Sequence, residues 1–272
     1  MKDMKGKVAV VTGAGSGIGR ATATRLAQAG CVLALADINA EALKPVAESL
    51  NRYGIAVSTH TVNVADKAQM AAFPDAVLAA HGAVHIVVNN AGVMVADPLE
   101  IQTLEDFEWL FGINFWGVVY GCKFFLPHLR RAGEGHLVNI SSMFAFYGVP
   151  TQSSYCASKF AVRGFTESLR AELAGTGIGV TAIHPGIIRT NIMKASRTHQ
   201  TGDGGLAQQG EEMMKRFGAA PERVAEKIEG AIRHNRARVR VGADSFLTDY
   251  LARLSPTGLN ALMGRFKEKT GA

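Results

Sequence analysis

Tyr155-Cys156-Ala157-Ser158-Lys159 sets a phenol and an ammonium four residues apart, on one face of any helix that carries them. A free phenol ionises near pH 10 and is a poor base at neutral pH. A neighbouring cation favours the phenolate, so the pair suits acid/base work on an alcohol–carbonyl couple. Taken alone, a pair at this spacing is in most cases a solvated helix face. A second constellation, Thr12-Gly13-Ala14-Gly15-Ser16-Gly17-Ile18-Gly19, follows the apolar run Val8-Ala9-Val10-Val11 and opens Arg20-Ala21-Thr22-Ala23. Strand, glycine-rich turn and helix start in that order build an anion site. Glycines permit a tight turn and close approach, and free N–H groups at the helix start suit a pyrophosphate. Asp37 closes the next apolar run, Val32–Ala36, where a carboxylate accepts from ribose hydroxyls of a dinucleotide. Its charge repels the extra phosphate of NADP, no Lys or Arg lies within the turn, and Ile38 follows, so the expected cofactor is NAD. Asp37 also suits a plain strand end, with Asn39 capping the helix after it.

Elements of matching period surround these residues. Strands are expected at 7–11, 32–36, 55–62, 85–89, 135–141, 178–184 and 238–241, and helices near 18–29, 40–53, 66–80, 103–131, 153–174 and 221–234. Their alternation implies right-handed crossovers and one α/β domain over 1–272, a doubly wound parallel sheet of about seven strands with its ligand at the carboxyl ends. Two stretches depart from the pattern. Residues 191–220, with Gly202-Asp203-Gly204-Gly205, Met193, Met213, Met214 and Phe217, follow a strand end and read as a lid over an apolar substrate. The tail, 244–272, carries Phe246, Leu247, Tyr250, Leu251, Leu254, Leu259 and Leu262 before Arg265-Phe266-Lys267, and is expected to pack on the domain or on a second subunit, a membrane surface being the alternative.

Composition agrees with a globular chain: 272 residues, 47% hydrophobic, 19% charged, with 30 glycines for many tight turns. The net charge of +6 permits acidic partners without demanding them. Basic residues concentrate at Arg236, Arg238 and Arg240, alternating with Ala237, Val239 and Val241. That period predicts an edge strand with one wet and one dry face, an anion-binding role being the alternative, and no nucleic-acid partner is expected. Three widely spaced cysteines, Cys31, Cys122 and Cys156, argue against a disulfide framework and a metal site, and Cys156 beside Tyr155 reads as core filler. No apolar stretch reaches the ~18 residues of a membrane span, and a cytoplasmic protein is expected.

Read together, these marks resemble the short-chain dehydrogenase/reductase family over nearly the whole chain. They are Thr12-Gly13-x-x-x-Gly17-x-Gly19, Asn89-Asn90-Ala91-Gly92, Asn114, Ser142, Tyr155-x-x-x-Lys159 and Pro185-Gly186 with Thr190. The resemblance implies that Tyr155 transfers the proton, Ser142 hydrogen-bonds the substrate oxygen, Lys159 also binds the nicotinamide ribose, and Asn114 holds a water in a relay to the lysine. It places the cofactor against Gly13, Ser16, Gly17, Ile18, Gly19, Asp37, Ile38, Val64, Asn90, Ala91, Gly92 and Ile113. Asn63 stands where the family has an aspartate against adenine, and Pro185, Gly186, Ile188 and Thr190 hold the carboxamide. Arg189 is atypical there. The implied activity is NAD(H)-dependent hydride transfer between nicotinamide and a secondary alcohol or ketone. Met94, Met143, Phe144, Phe146, Ile187, Ile188 and Met193 suggest an apolar steroid-, retinoid- or lipid-like substrate, core or subunit-interface filling being the alternative for most of them. The alternatives are an NADPH-dependent carbonyl reductase and a non-catalytic nucleotide sensor on the same fold. Apolar residues on several sides of 103–131 and 153–174, with the resemblance, imply a homodimer or homotetramer.

Overall fold

The computed structural model describes residues 1–199 and 205–270, and the side chains of all of these except 206, 207 and 265–270. Among the described residues there are seven strands: β1 Val8–Thr12, β2 Val32–Asp37, β3 Val57–Thr61, β4 Ile86–Asn89, β5 Gly135–Ile140, β6 Ile178–Pro185 and β7 Arg238–Val241. They make one parallel sheet in the order β3-β2-β1-β4-β5-β6-β7. The expected strands and the doubly wound single-domain fold are therefore present. The order reverses between β1 and β4, and this crevice at the strand ends is where such sheets bind ligands.

Alternation along the strands sends successive side chains to opposite faces. Ala9, Val11, Leu33 and Leu35 meet α1 (Gly17–Gln28), α2 (Ala40–Leu50) and α8 (Pro221–Arg233). Val8, Val10, Ala34 and Ala36 meet α3 (Lys67–His81), α5 (Gly117–Arg131) and α6 (Ser153–Glu172). Phe125 and Leu129 of α5 are fully buried in this second core. Truncating either to alanine should cost about 2–5 kcal/mol.

The expected helix at 103–131 is interrupted. α4 (Leu104–Phe111) runs into a π-helical turn, Gly112–Trp116, before α5 begins. Such turns arise where one extra residue is accommodated in the helix. Among the described residues this run, Leu104–Arg131, is one helix long and apolar enough to cross a membrane by length and composition, contrary to the sequence expectation. Its apolar residues serve the core and an aromatic column instead: Phe125 meets Phe73 edge-on at 5.3 Å, and Trp116, Tyr120 and Phe124 stack at 5.7 and 5.9 Å.

β7 is the expected edge strand, with its valines buried and its arginines partly exposed, and the arginine face is engaged by α9 (Ala243–Leu254). Arg238 and Arg240 each donate to the buried carboxylate of Asp249 at 2.9 Å, and Arg238 lies over the Phe146 ring at 4.7 Å. Beyond α9, α10 (Pro256–Thr270) packs the tail onto the domain, with Leu259 against Met143, Phe146 and Tyr147. The side chains of Arg265-Phe266-Lys267 lie outside the described residues.

Within 191–220, Gly202-Asp203-Gly204 lie outside the described residues, and α7 spans Leu206–Phe217. The preceding strap is clipped to the loop after β4. Arg197 donates its amide to Met94 at 3.1 Å and accepts from Ala96 at 3.2 Å. Buried Asp106 accepts from Arg197 at 3.2 Å and contacts His199 Nε2 at 2.7 Å, which holds that carboxyl below the usual range. Arg197 also stacks on Trp109 at 3.9 Å.

Candidate active site

The glycine turn leaves β1 at Thr12. Gly13 and Gly17 adopt φ of +64° and +49°, a region that favours glycine. A methyl group on Gly13 would strike the Ala91 backbone, and one on Gly19 the carbonyl of Gly13. Ser16 is the N-cap of α1, yet its side chain caps nothing and the first turn carries no acidic residue. The helix start therefore presents unneutralised N–H groups, the arrangement a phosphate needs. Asp37 Oδ2 accepts the Gly15 amide at 3.0 Å, fixing the carboxylate at the turn, while Oδ1 accepts from Asn39 at 3.0 Å. Asn39 caps α2 through Ala42, so its capping role holds alongside.

Thr12, which sequence reasoning named only within the motif, proves to be the rivet between β1 and β4. Its Oγ1 accepts from the amides of Asn90 at 3.0 Å and Ala91 at 3.1 Å. Asn90 Nδ2 returns a bond to the Thr12 carbonyl at 2.9 Å. Thr190 approaches Gly17, bringing the Pro185-Gly186 segment against the turn. Arg189 has an exposed side chain, and its amide pairs with Ala219 at 2.9 Å, so the position serves the backbone.

These residues line one cavity of about 670 Å³. Its wall includes Gly13, Ser16, Gly17, Ile18, Asp37, Ile38, Asn63, Val64, Asn90, Ala91, Gly92, Ile113, Ser142, Tyr155, Lys159, Pro185, Gly186, Ile188 and Thr190. Two of the expected residues lie behind it. Gly19 is a packing glycine beneath the turn. Asn114, in the π turn, is fully buried; its Oδ1 accepts from Val93 at 2.8 Å, and its Nδ2 donates to the Val93 carbonyl at 2.9 Å and to Ser158 at 3.2 Å. The side chain thus holds the loop after β4. The far end of the cavity is formed by Met94, Met143, Phe144, Ile187, Met193, Met213 and Met214, with Thr151, Gln152 and Asn191, which pattern reading did not single out. Phe146 is not on this wall; it packs against His184.

Ser142 follows β5 and Tyr155 lies in the first turn of α6. The Ser142 hydroxyl acts on the Tyr155 phenol and favours its ionised form, and the serine oxygen also caps Phe144 at 3.2 Å. Lys159 lies one turn on, with Nζ 5.6 Å from the Tyr155 ring centroid and donating to the Ile140 carbonyl at 3.1 Å. Here the protein groups act against the sequence expectation. Burial pushes the Tyr155 phenol up to about 12, with Ser142 pulling the other way, and burial brings the Lys159 amine down to about 8. Desolvation outweighs the lysine charge at this separation. Cys156 is buried with its thiol raised, which makes it a poor nucleophile.

A parallel sheet with a glycine turn and acidic strand end on one side of its crevice, and a Ser–Tyr–Lys cluster on the other, defines a dinucleotide-binding oxidoreductase. Residues 7–201 match the short chain dehydrogenase family. The chain is 41% identical over 267 residues to SadH of Mycobacterium tuberculosis, named as an oxidoreductase, covering 97% of this chain and 96% of that one. It is 34% identical over 188 residues to a cyclohexanol dehydrogenase of Acinetobacter, covering 69% and 75%. A crystal structure of a short chain dehydrogenase/reductase from Burkholderia phymatum in complex with NAD superposes with a TM-score of 0.89, at 32% identity over 96% of this chain and 97% of that one. The chain belongs to the short-chain dehydrogenase/reductase family and is an oxidoreductase of that family.

Proposed function

We propose that this enzyme moves hydride between NAD(H) and an apolar secondary alcohol or its ketone. The observation that carries the reading is the single cavity shared by the Gly13–Gly19 turn, Asp37 and the Ser142–Tyr155–Lys159 cluster. Asp37 stands at the adenosine end with an exposed Ile38 beside it, which favours two ribose hydroxyls over a 2′-phosphate. NAD in the Burkholderia relative supports the same choice. The bound nicotinamide supplies the hydride acceptor or donor. Ser142 orients the substrate oxygen by hydrogen bonding. Tyr155 takes the hydroxyl proton in oxidation and returns it in reduction. Lys159 holds the ribose and adds positive charge beside the phenol. Asn114 positions the loop at Val93. The methionines and Phe144 at the far end of the cavity fit a hydrophobic substrate body, with α7 and the strap before it acting as cover. Cyclohexanol, in the name of the Acinetobacter relative, is an apolar secondary alcohol.

Turnover of a panel of steroid, retinoid, cyclic and acyclic alcohols and ketones, with NAD and NADP in parallel, tests the reading. Activity confined to polar or primary alcohols, or faster turnover with NADP, would overturn the substrate or the cofactor assignment respectively. The exposed Trp116 and Phe160, with Leu104, suggest a two-fold contact through α4–α6. Light scattering at micromolar concentration should then report a dimer or tetramer.

A further inference from the structure

His184 stands outside the expected catalytic set, does not line the cavity, and is completely buried at the end of β6. Its Nδ1 is 3.1 Å from the carbonyl oxygen of Ser142. A carbonyl has no proton to give, so Nδ1 carries the hydrogen and Nε2 carries the lone pair. That Nε2 is buried with no hydrogen-bond partner among the described residues. A buried acceptor left unpaired loses more than one ordinary hydrogen bond returns, so an imidazole is a poor choice for stability alone.

The ring is held from several sides. It packs against Phe146 with centroids 4.6 Å apart, and the guanidinium groups of Arg163 and Arg238 both lie over the Phe146 ring, at 5.4 and 4.7 Å. The His184 carbonyl accepts from Ser245 Oγ of α9 at 2.8 Å. Burial, with the nearby Arg238 and Arg163 charges against that of Asp249, brings the imidazole down to about 3, so it stays neutral across the working pH range. The Ser142 carbonyl in turn has only the Ala145 amide, at 3.2 Å, as a backbone donor among the hydrogen bonds of its turn.

We infer that His184 is a positioning residue: its Nδ1–H anchors the Ser142 backbone where the chain leaves β5, and thereby holds the Ser142 hydroxyl against Tyr155. This inference rests on the proposed role of Ser142. It makes α9 part of the catalytic scaffold, because Ser245 fixes the post on which Ser142 is aimed.

The test compares His184→Leu, which removes the donor at similar volume, His184→Asn, whose amide can donate from the Nδ1 position, and Ser142→Ala, all by steady-state turnover of the best alcohol from the panel. His184→Leu should lower kcat roughly 10- to 100-fold, the scale of a misplaced catalytic group. It should also move the rising, low-pH limb of kcat/KM for alcohol oxidation to higher pH, because oxidation needs the phenolate and Ser142 is the group that pulls the Tyr155 phenol down. NADH affinity should stay within twofold, and His184→Asn should recover most of kcat and the original pH limb. Leucine and asparagine variants equally impaired while folded, or a leucine variant with normal kcat and pH limb, would overturn the inference. Nitrogen-15 spectra of the unmutated protein need no variant to fold: a ring protonated at Nε2 instead of Nδ1 overturns it directly. Ser142→Ala separates the two levels. Full turnover in that variant removes the proposed role of Ser142, whereas an inactive Ser142→Ala beside a normal His184→Leu removes the role of His184 alone.

Discussion

Lys159 donates its ammonium to the carbonyl oxygen of Ile140 at 3.1 Å, while the centre of the Tyr155 ring stands 5.6 Å from the same nitrogen. The lysine is thereby fixed to the end of β5, facing the cavity beside the phenol it accompanies. The protein holds the phenol protonated, at about 12, by burial. Lowering it into the working range then depends on charge brought by the oxidised cofactor as well as on Lys159.

Tyr155→Phe should reduce kcat by roughly 10²–10⁴-fold, the usual worth of a positioned acid/base, with NADH affinity nearly unchanged. Lys159→Ala should damage both turnover and NADH binding. Fluorescence titration with NADH beside steady-state rates checks the pair; a phenylalanine variant keeping a tenth of kcat would remove Tyr155 from the mechanism.

Lys159 also predicts a stability profile. Its folded value of about 8 lies below the ~10.4 of an exposed lysine, so the unfolded chain binds the extra proton between these limits and stability rises with pH across them. The penalty is full below pH 8 and fades by about pH 10.5. Lys159→Met should therefore gain on the unmutated protein at pH 7 and lose that gain by pH 10.5, by up to about 3 kcal/mol. Denaturant titrations at several pH values read the difference; a constant difference from pH 7 to 10.5 would contradict the assignment.

Asp37→Ala should narrow the preference for NADH over NADPH, because it removes both the ribose acceptor and the repulsion of a 2′-phosphate. Calorimetry with both cofactors measures the gap. Equal affinities in the unmutated protein would end the argument from Asp37.

Two glycines separate fold from substrate. A methyl group on Gly19 meets the rigid carbonyl of Gly13, whereas one on Gly210 of α7 meets the flexible end of Met193. Gly19→Ala should destabilise by roughly 1–3 kcal/mol and weaken NADH binding. Gly210→Ala should leave the melting temperature near its original value and change KM for the alcohol. A Gly210→Ala enzyme with unaltered KM for large and small substrates would show that α7 does not bound the substrate.

Local signals determined much of this protein. The central strands are apolar runs bounded by turn or polar residues and β7 alternates arginine with valine, so the strands were legible, and their alternation with helices specified a parallel sheet. The glycine turn and Asp37 declare themselves because backbone freedom and charge are properties of residue type and order. Tertiary structure alone decided what depends on partners distant in sequence. Arg238 and Arg240 read as a wet face and stay partly exposed, but their shared ion-pair partner, Asp249, lies on a helix the strand pattern could not place. Asn114 was expected to hold a water in a relay to the lysine; that its side chain is engaged by Val93 and Ser158 depends on the loop after β4 and on α6. The Tyr155–Lys159 spacing predicted a lowered phenol, but desolvation is set by everything packed around the ring, and it prevails. His184 carried no signal in its own segment, because its relation to Ser142 exists only once β5 and β6 lie side by side.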